Sequence, residues 1–412
     1  MVRDDKLIQM TKEEREAYFQ ENFFSDLALA IKEVANDSPF YRKLCEKANY
    51  QFEDELNYEN LYHIPYIQTN HYKEHLGIFP QLTRVTEKEI KYRTISTSTS
   101  GSPSIVARTE TDIKFLQTVT IDAYRDFLWW DTATWVFNFV PSKFMLKMVT
   151  RLSTKQKKAM MFVYFFNQPW ESHLNNVYMI TASLLRNLWH WIRHWTTESI
   201  IQLRTKKLIK TLQNRKEDDF IIFGGNTILI YNVAEKLFKE QGITFDLGKQ
   251  GGVGTGGGGW DGIKGQLISK PFSKAEMVEQ MKEVFGIPME NVHDIYAFTE
   301  SPAIFPGHFS KKYQDQIMHV PPYVKIIVRD PETLEPVKPG EIGLLEVLTP
   351  YGINGYSSCA IIVDDLVQLI GDNDSVCNEC GYKGARFIHK GRQSPPDGKS
   401  CSSILDFFER IH

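Results

Sequence analysis

Cysteine is scarce in this chain. Five occur among 412 residues, an odd number at low density, which excludes a disulfide framework as the main source of stability. Long apolar runs are also missing. No stretch reaches the ~18 apolar residues of a membrane span, and the richest, AMMFVYFFN at 159–167, is far shorter. The N-terminal MVRDDKLIQMTKEEREAYF has no apolar signal core. There is no excess of positive charge: Lys+Arg total 48 against 51 Asp+Glu, a net charge of −3. That balance argues against a general nucleic-acid binder. A Gly-x4-Gly-Lys phosphate loop is absent, and no ordered G-x-G-x-x-G joins a clear strand to a helix. No internal repeat or low-complexity linker is evident. These absences leave a soluble, cytoplasmic protein as the expectation.

What is present describes a large folded body. Hydrophobic residues make up 42% and charged residues 24%, a globular balance. At about 150 residues per domain the length suggests two to three domains. Residues 11–48 read as helix, with Thr11 and Glu14 in capping-box spacing and Leu27, Ile31 and Val34 on one face. Asn36-Asp37-Ser38-Pro39 breaks that helix and caps another. Residues 109–127 and 179–217 look helical, the second stretch basic. FIIFGG (220–225) reads as a buried strand before a helix, SKAEMVEQMKEVFG as a helix, and VHDIYAFTES as a strand entering a loop. From residue 320 the pattern becomes β: VKIIVRD, GEIGLLEVL, CAIIVDDLVQLIG and ARFIHKGR. The fold class expected is α/β, with a β-rich C-terminal part.

Several segments carry chemistry. STSTSGSPS at 96–104 is dense in hydroxyls and backbone N–H groups that can close around a polyphosphate, with Gly101 allowing close approach; plain surface is the alternative. Thr299-Glu300 ends a strand on a hydroxyl and a carboxylate, donors suited to a phosphate oxygen and Mg²⁺. Asp364-Asp365 follows the apolar run AIIV, where a carboxylate can accept ribose hydroxyls. Gly391-Arg392 follows another apolar run, where arginine can meet phosphate or ribose. A glycine-rich loop at 251–259 precedes Trp260. Cys377 and Cys380 form C-x2-C, half of a zinc ribbon; His389, Cys359 and Cys401 are candidates to complete it, and a metal-free turn is the alternative. The aromatic stretch 128–170 suits a buried core, an acyl channel or a partner contact.

The order of these segments resembles the adenylate-forming superfamily of acyl and aryl acid ligases. HVPPYVKIIVRDPETLEPVKPGEIGLLEVL (319–348), TGGGGWDG (255–262) and SPFYRKL (38–44) are similar to the acyl-protein synthetases of bacterial bioluminescence operons. The resemblance runs over about residues 38–412. It implies ATP-dependent activation of a long-chain fatty acid to acyl-AMP, transfer to an enzyme cysteine, and a fatty acyl reductase as partner. Carried onto this chain, Ser98, Thr99, Ser100 and Gly101 cradle the triphosphate. Thr299 and Glu300 bind phosphate and Mg²⁺, and Tyr296, Asp365 and Arg392 hold the nucleotide. Gly256, Gly257, Gly258 and Trp260 border the acyl pocket. Cys401, in DGKSCSSILDFFERIH, is the acylated thiol.

The implied architecture is helical over 1–90, an α/β adenylating core over 91–318, a β-rich subdomain over 319–392, and a short tail over 393–412 in place of a full C-terminal lid domain. Departures from the superfamily pattern are Ala297 and Val367, where Gly is usual, and a phosphate loop with no Lys directly after Pro103. Two other functions stay open: an acyl- or aryl-CoA ligase, and a non-catalytic subunit that binds a reductase.

Overall fold

The computed structural model describes residues 2–52, 55–73, 77–95, 104–127, 135–139, 158–162, 208–264 and 267–393. Local chemistry sets the N-terminal helices. After α1 (Val2–Gln9), Thr11 caps α2 (Lys12–Asp37). Its hydroxyl accepts from Glu14 N–H at 3.2 Å, and Glu14 Oε2 accepts from Thr11 N–H at 2.8 Å. Ser38 ends α2 and caps α3 (Pro39–Lys47), with Pro39 at a position whose N–H needs no partner. Phe19, Phe23, Leu27, Ile31 and Val34 form the buried stripe of α2.

Among the described residues, twelve strands form one mixed sheet. In chain order the strands are β1 (Ile67–Gln68), β2 (Tyr92–Ile95), β3 (Ile105–Arg108), β4 (Trp135–Phe139), β5 (Lys158–Phe162), β6 (Ile221–Asn226), β7 (Gly251–Gly256), β8 (Ile263–Lys264) and β9 (Leu267–Ile268). There follow β10 (Val292–Ala297), β11 (Ile304–Ser310), β12 (Asp315–His319), β13 (Lys325–Arg329), β14 (Ile342–Leu348), β15 (Ala360–Gly371) and β16 (Arg386–Arg392). The sheet order is β13-β14-β15-β16-β12-β11-β10-β7-β6-β4-β5, with β1 added beside β15. β5, β4, β6, β7 and β10 run parallel, and the pairs from β10 to β13 are antiparallel. The sheet therefore continues without a break across residue 319. β2–β3 and β8–β9 are separate antiparallel pairs.

Two cores flank the sheet. One joins α2, α3 and α4 (Glu110–Phe127) to β13–β16. The other packs α5 (Thr227–Asn232) and α6 (Lys274–Phe285) over β4, β6 and β7. Ser273 and Glu276 cap α6 reciprocally, and Gly286 closes it at φ +66°. The segment expected as a glycine loop at 251–259 is a central strand as far as Gly256. Glycine is needed there for space: a Cβ on Gly251 would stand 2.7 Å from Ile287 Cγ1 and 2.8 Å from Leu247 Cβ. The strand β11 also goes unannounced in the sequence, because Pro306 and Gly307 interrupt its pattern.

Candidate active site

β7 and β10 are parallel neighbours, so their carboxyl ends emerge together, the usual ligand-binding edge of such a sheet. Beyond β7, Gly257, Gly258 and Gly259 take φ of +82°, +69° and +94°, a run that only glycine adopts readily. Beyond β10 come Thr299 and Glu300. Trp260 packs on Phe272, with ring centroids 5.6 Å apart.

Glu300 is buried. Burial pushes its carboxyl pKa up, against the Ser104 hydroxyl, its own backbone and the charge of Lys73, which pull it down. Lys73 and Ser104 form a single β-bridge. Ser104 is the last residue of the Ser/Thr segment that joins β2 to β3. The described end of that segment thus lies at the carboxylate of the Thr-Glu pair. Ser98, Thr99, Ser100 and Gly101 lie outside the described residues.

Arg108, at the end of β3, holds this junction from below. Its Nη2 donates to Thr299 O at 2.6 Å, its Nη1 to Tyr356 Oη at 3.2 Å, and its Nε to Thr94 Oγ1 at 3.0 Å. The side chain is 1% exposed and its guanidinium stands 5.0 Å from the Tyr356 ring centroid. A lone arginine in IVAR offers no sequence signal for this role.

Asp365 gathers the remaining groups. Tyr296 Oη donates to Oδ2 at 2.7 Å, while His389 Nε2 and Arg392 Nε each lie 3.1 Å from Oδ1. Burial alone would raise the pKa of this carboxyl, but His389, Arg392 and Tyr296 hold it below the ordinary value. It is therefore a buried, ionised acceptor. Three residues apart on a regular strand, His389 and Arg392 would face opposite sides. A register shift between Leu366 and Val367 pairs Leu366 with Gly391 and Val367 with His389, and so brings both to one carboxylate.

The cysteines separate by environment. Cys45 and Cys359 are buried near Tyr41, and burial pushes their thiols up to about 12 and about 11. Cys359 and His389 are thus not the partners of Cys377 and Cys380. Those two cysteines sit instead beside His308 on β11 and His319 on β12. Cys401, residues 128–134, 140–157 and 163–170 of the aromatic region, and residues 179–207 of the basic stretch lie outside the described residues. No helix among the described residues is long and apolar enough to cross a membrane.

A family model described as acyl-protein synthetase, LuxE, matches residues 176–407, more than half of the chain. The chain belongs to this family. Membership makes it a ligase. A curated relative, the long-chain-fatty-acid–luciferin-component ligase of Aliivibrio fischeri, is 25% identical over 350 residues, covering 84% of this chain and 79% of the relative. Among solved structures, an open conformation of 2-hydroxyisobutyryl-CoA ligase with 2-HIB-AMP and CoA aligns at a TM-score of 0.58 and 15% identity. That alignment covers 93% of this chain and 71% of the other. The same ligase in its thioesterification state aligns at 0.59 and 15%, covering 94% and 70%. These likenesses establish the fold as that of the adenylate-forming ligases.

Proposed function

We propose that the family member described here activates a long-chain fatty acid with ATP and carries the acyl group on Cys401. The convergence of Tyr296, His389 and Arg392 on the ionised Asp365, at the same sheet edge as Glu300, supports this reading most. Asp365 accepts the ribose hydroxyls of ATP, and Arg392, largely exposed, faces the phosphates. The hydroxyls of Ser98, Thr99 and Ser100, with the Gly101 backbone, surround the triphosphate. Lys73 adds a cation beside Glu300, in a chain whose Ser/Thr segment has Ser104 and not Lys directly after Pro103.

Glu300, Thr299 and Asp364 offer the hard oxygen donors that Mg²⁺ prefers, and the buried Glu300 carboxylate gains from a cation near it. Bound there with ATP, Mg²⁺ supplies neutralisation of phosphate charge. The carboxylate oxygen of the fatty acid attacks the α-phosphorus, forming acyl-AMP and releasing pyrophosphate. The Cys401 thiolate then attacks the acyl carbon, forming a thioester as the C–O bond to AMP breaks. Gly256 to Gly258 let the backbone approach the acyl-adenylate closely, with Trp260 at the border of that pocket. The acyl-cysteine is the form offered to a fatty acyl reductase.

The test is incubation with ATP, Mg²⁺ and radiolabelled tetradecanoate. Label on the wild-type protein, lost in Cys401→Ser while ATP–pyrophosphate exchange persists, is the expected result. Undiminished label in Cys401→Ser would exclude that thiol as the acceptor. Release of AMP only when CoA is added would make the protein a CoA ligase instead. Absence of exchange, with tight reductase binding, would leave a non-catalytic subunit.

A further inference from the structure

Away from the nucleotide edge, two histidines of the β11–β12 hairpin meet two cysteines of the turn between β15 and β16. His308 lies on β11, His319 ends β12, and Cys377 and Cys380 occupy the turn between β15 and β16. One ligand atom from each lies within 4.8 Å of the other three. His308 Nδ1 is 3.0 Å from His319 Nε2, and Cys380 Sγ is 3.3 Å from that same Nε2. Bonds of about 2.0–2.3 Å to a tetrahedral ion give ligand–ligand edges of roughly 3.3–3.8 Å, close to this spacing.

We propose that His308, His319, Cys377 and Cys380 bind one zinc ion as a closed structural site. Two observations favour an ion over a plain polar cluster. His319 Nε2 carries either one lone pair or one N–H, yet two heteroatoms stand within hydrogen-bonding reach of it. A single hydrogen bond leaves one of them unmatched; a shared cation satisfies all of them. The second observation is charge. Zn²⁺ with two thiolates and two neutral imidazoles is neutral overall, which suits a site with three of its four ligands buried, the exposed Cys380 at its rim, and aromatic rings beside it. The His319 ring stacks on Phe127 at 5.4 Å and on His308 at 5.1 Å, and lies 4.7 Å from Tyr382.

The turn is shaped as a ligand-presenting knuckle. Gly381 N–H donates to Cys377 O at 2.8 Å, with Gly381 at φ +78°, and Cys377 N–H donates to Tyr382 O at 2.8 Å. Glu379 docks the turn on β11 by accepting from Ser310 Oγ at 2.5 Å. Four protein ligands leave no open coordination position, so the ion is structural rather than catalytic. Binding releases the two thiol protons to solvent. The ion ties the β11–β12 hairpin to the β15–β16 turn. The β15–β16 pair carries Asp365, His389 and Arg392 further along its length.

The test uses the full-length protein expressed with added zinc, and its outcome is independent of any activity. Elemental analysis should find one zinc per chain after dialysis. Cobalt exchanged into the wild type should show the intense visible bands and thiolate charge transfer of a tetrahedral sulfur–nitrogen site. Retained metal should fall by roughly tenfold or more in Cys377→Ser and in His308→Ala, and stay unchanged in His389→Ala. Zinc-free wild type, octahedral cobalt without thiolate bands, or full retention in both ligand variants would overturn the proposal. Loss in His389→Ala alone would also overturn it, by assigning the metal to different ligands. The cobalt spectrum needs no variant, so a poorly folding mutant leaves the proposal falsifiable.

Discussion

Asp365 and Arg392 face each other in register across β15 and β16, with Nε and Oδ1 3.1 Å apart. The pair orients a buried carboxylate whose second oxygen is held by Tyr296. Asp365→Asn should keep the shape and remove the charge. The expected result is a fall of about 10- to 100-fold in kcat/KM for ATP–pyrophosphate exchange, since hydrogen bonds to a charged group contribute about 1.5–3 kcal/mol. Tyr296→Phe removes one hydrogen bond to that charged group and should cost about tenfold. Equal exchange rates in all three proteins would remove Asp365 from the nucleotide site.

Arg108 touches the chain at Thr299 O, Tyr356 Oη and Thr94 Oγ1. Arg108→Ala leaves a half-buried carbonyl and a buried phenol short of a donor. We expect a loss of about 2–3 kcal/mol in urea unfolding. Arg108→Lys should recover part of the stability, because it restores charge but not the planar fork that reaches three acceptors. Its exchange rate should stay below wild type, with kcat more affected than KM, because Thr299 is no longer held.

Glu346 pairs with Arg329 inside the sheet, and burial raises its pKa to about 7 against Arg329, which lowers it. The unfolded carboxyl ionises near 4.5. Between these values the folded state holds more protons, so this group's contribution to stability declines as pH rises from about 4.5 to 7. Buried histidines act in the opposite sense, so the difference from Glu346→Gln is the informative quantity. Unfolding free energies at pH 5 and pH 8 should show the wild type losing more than Glu346→Gln over that interval. Parallel pH curves would disprove the assignment.

The capping box at Thr11 and Glu14 is remote from the site. Thr11→Ala should lower unfolding free energy by about 1 kcal/mol and leave exchange activity unchanged. A larger loss would mean that α2 also depends on this cap to reach its buried contacts.

Much of the molecule was legible locally. Ser38-Pro39 marks the α2–α3 break, and AIIVDD places a carboxylate on a strand, because caps and β periodicity are encoded within a few residues. The order of the Ser/Thr segment, Thr299-Glu300, Asp365 and Arg392 carried the superfamily resemblance, and the wording of 38–44, 255–262 and 319–348 carried the family. Other features were hidden for physical reasons. Glycines at 251–256 obscured β7; at Gly251, close packing against Leu247 and Ile287 excludes a larger residue. Pro306-Gly307 obscured β11 and with it His308.

By itself, then, the sequence determined the caps of α2 and α3, six of the sixteen strands, the family and the C-x2-C turn. Tertiary structure alone decided which histidine serves which site. His389 is nine residues from Cys380 in sequence, yet it meets Asp365, while Cys380 meets His319, 61 residues away. Sequence periodicity reports only neighbours a few positions apart. Partners across a mixed sheet are set by strand order, by register and, at Leu366–Val367, by a register shift that turns two side chains onto one carboxylate.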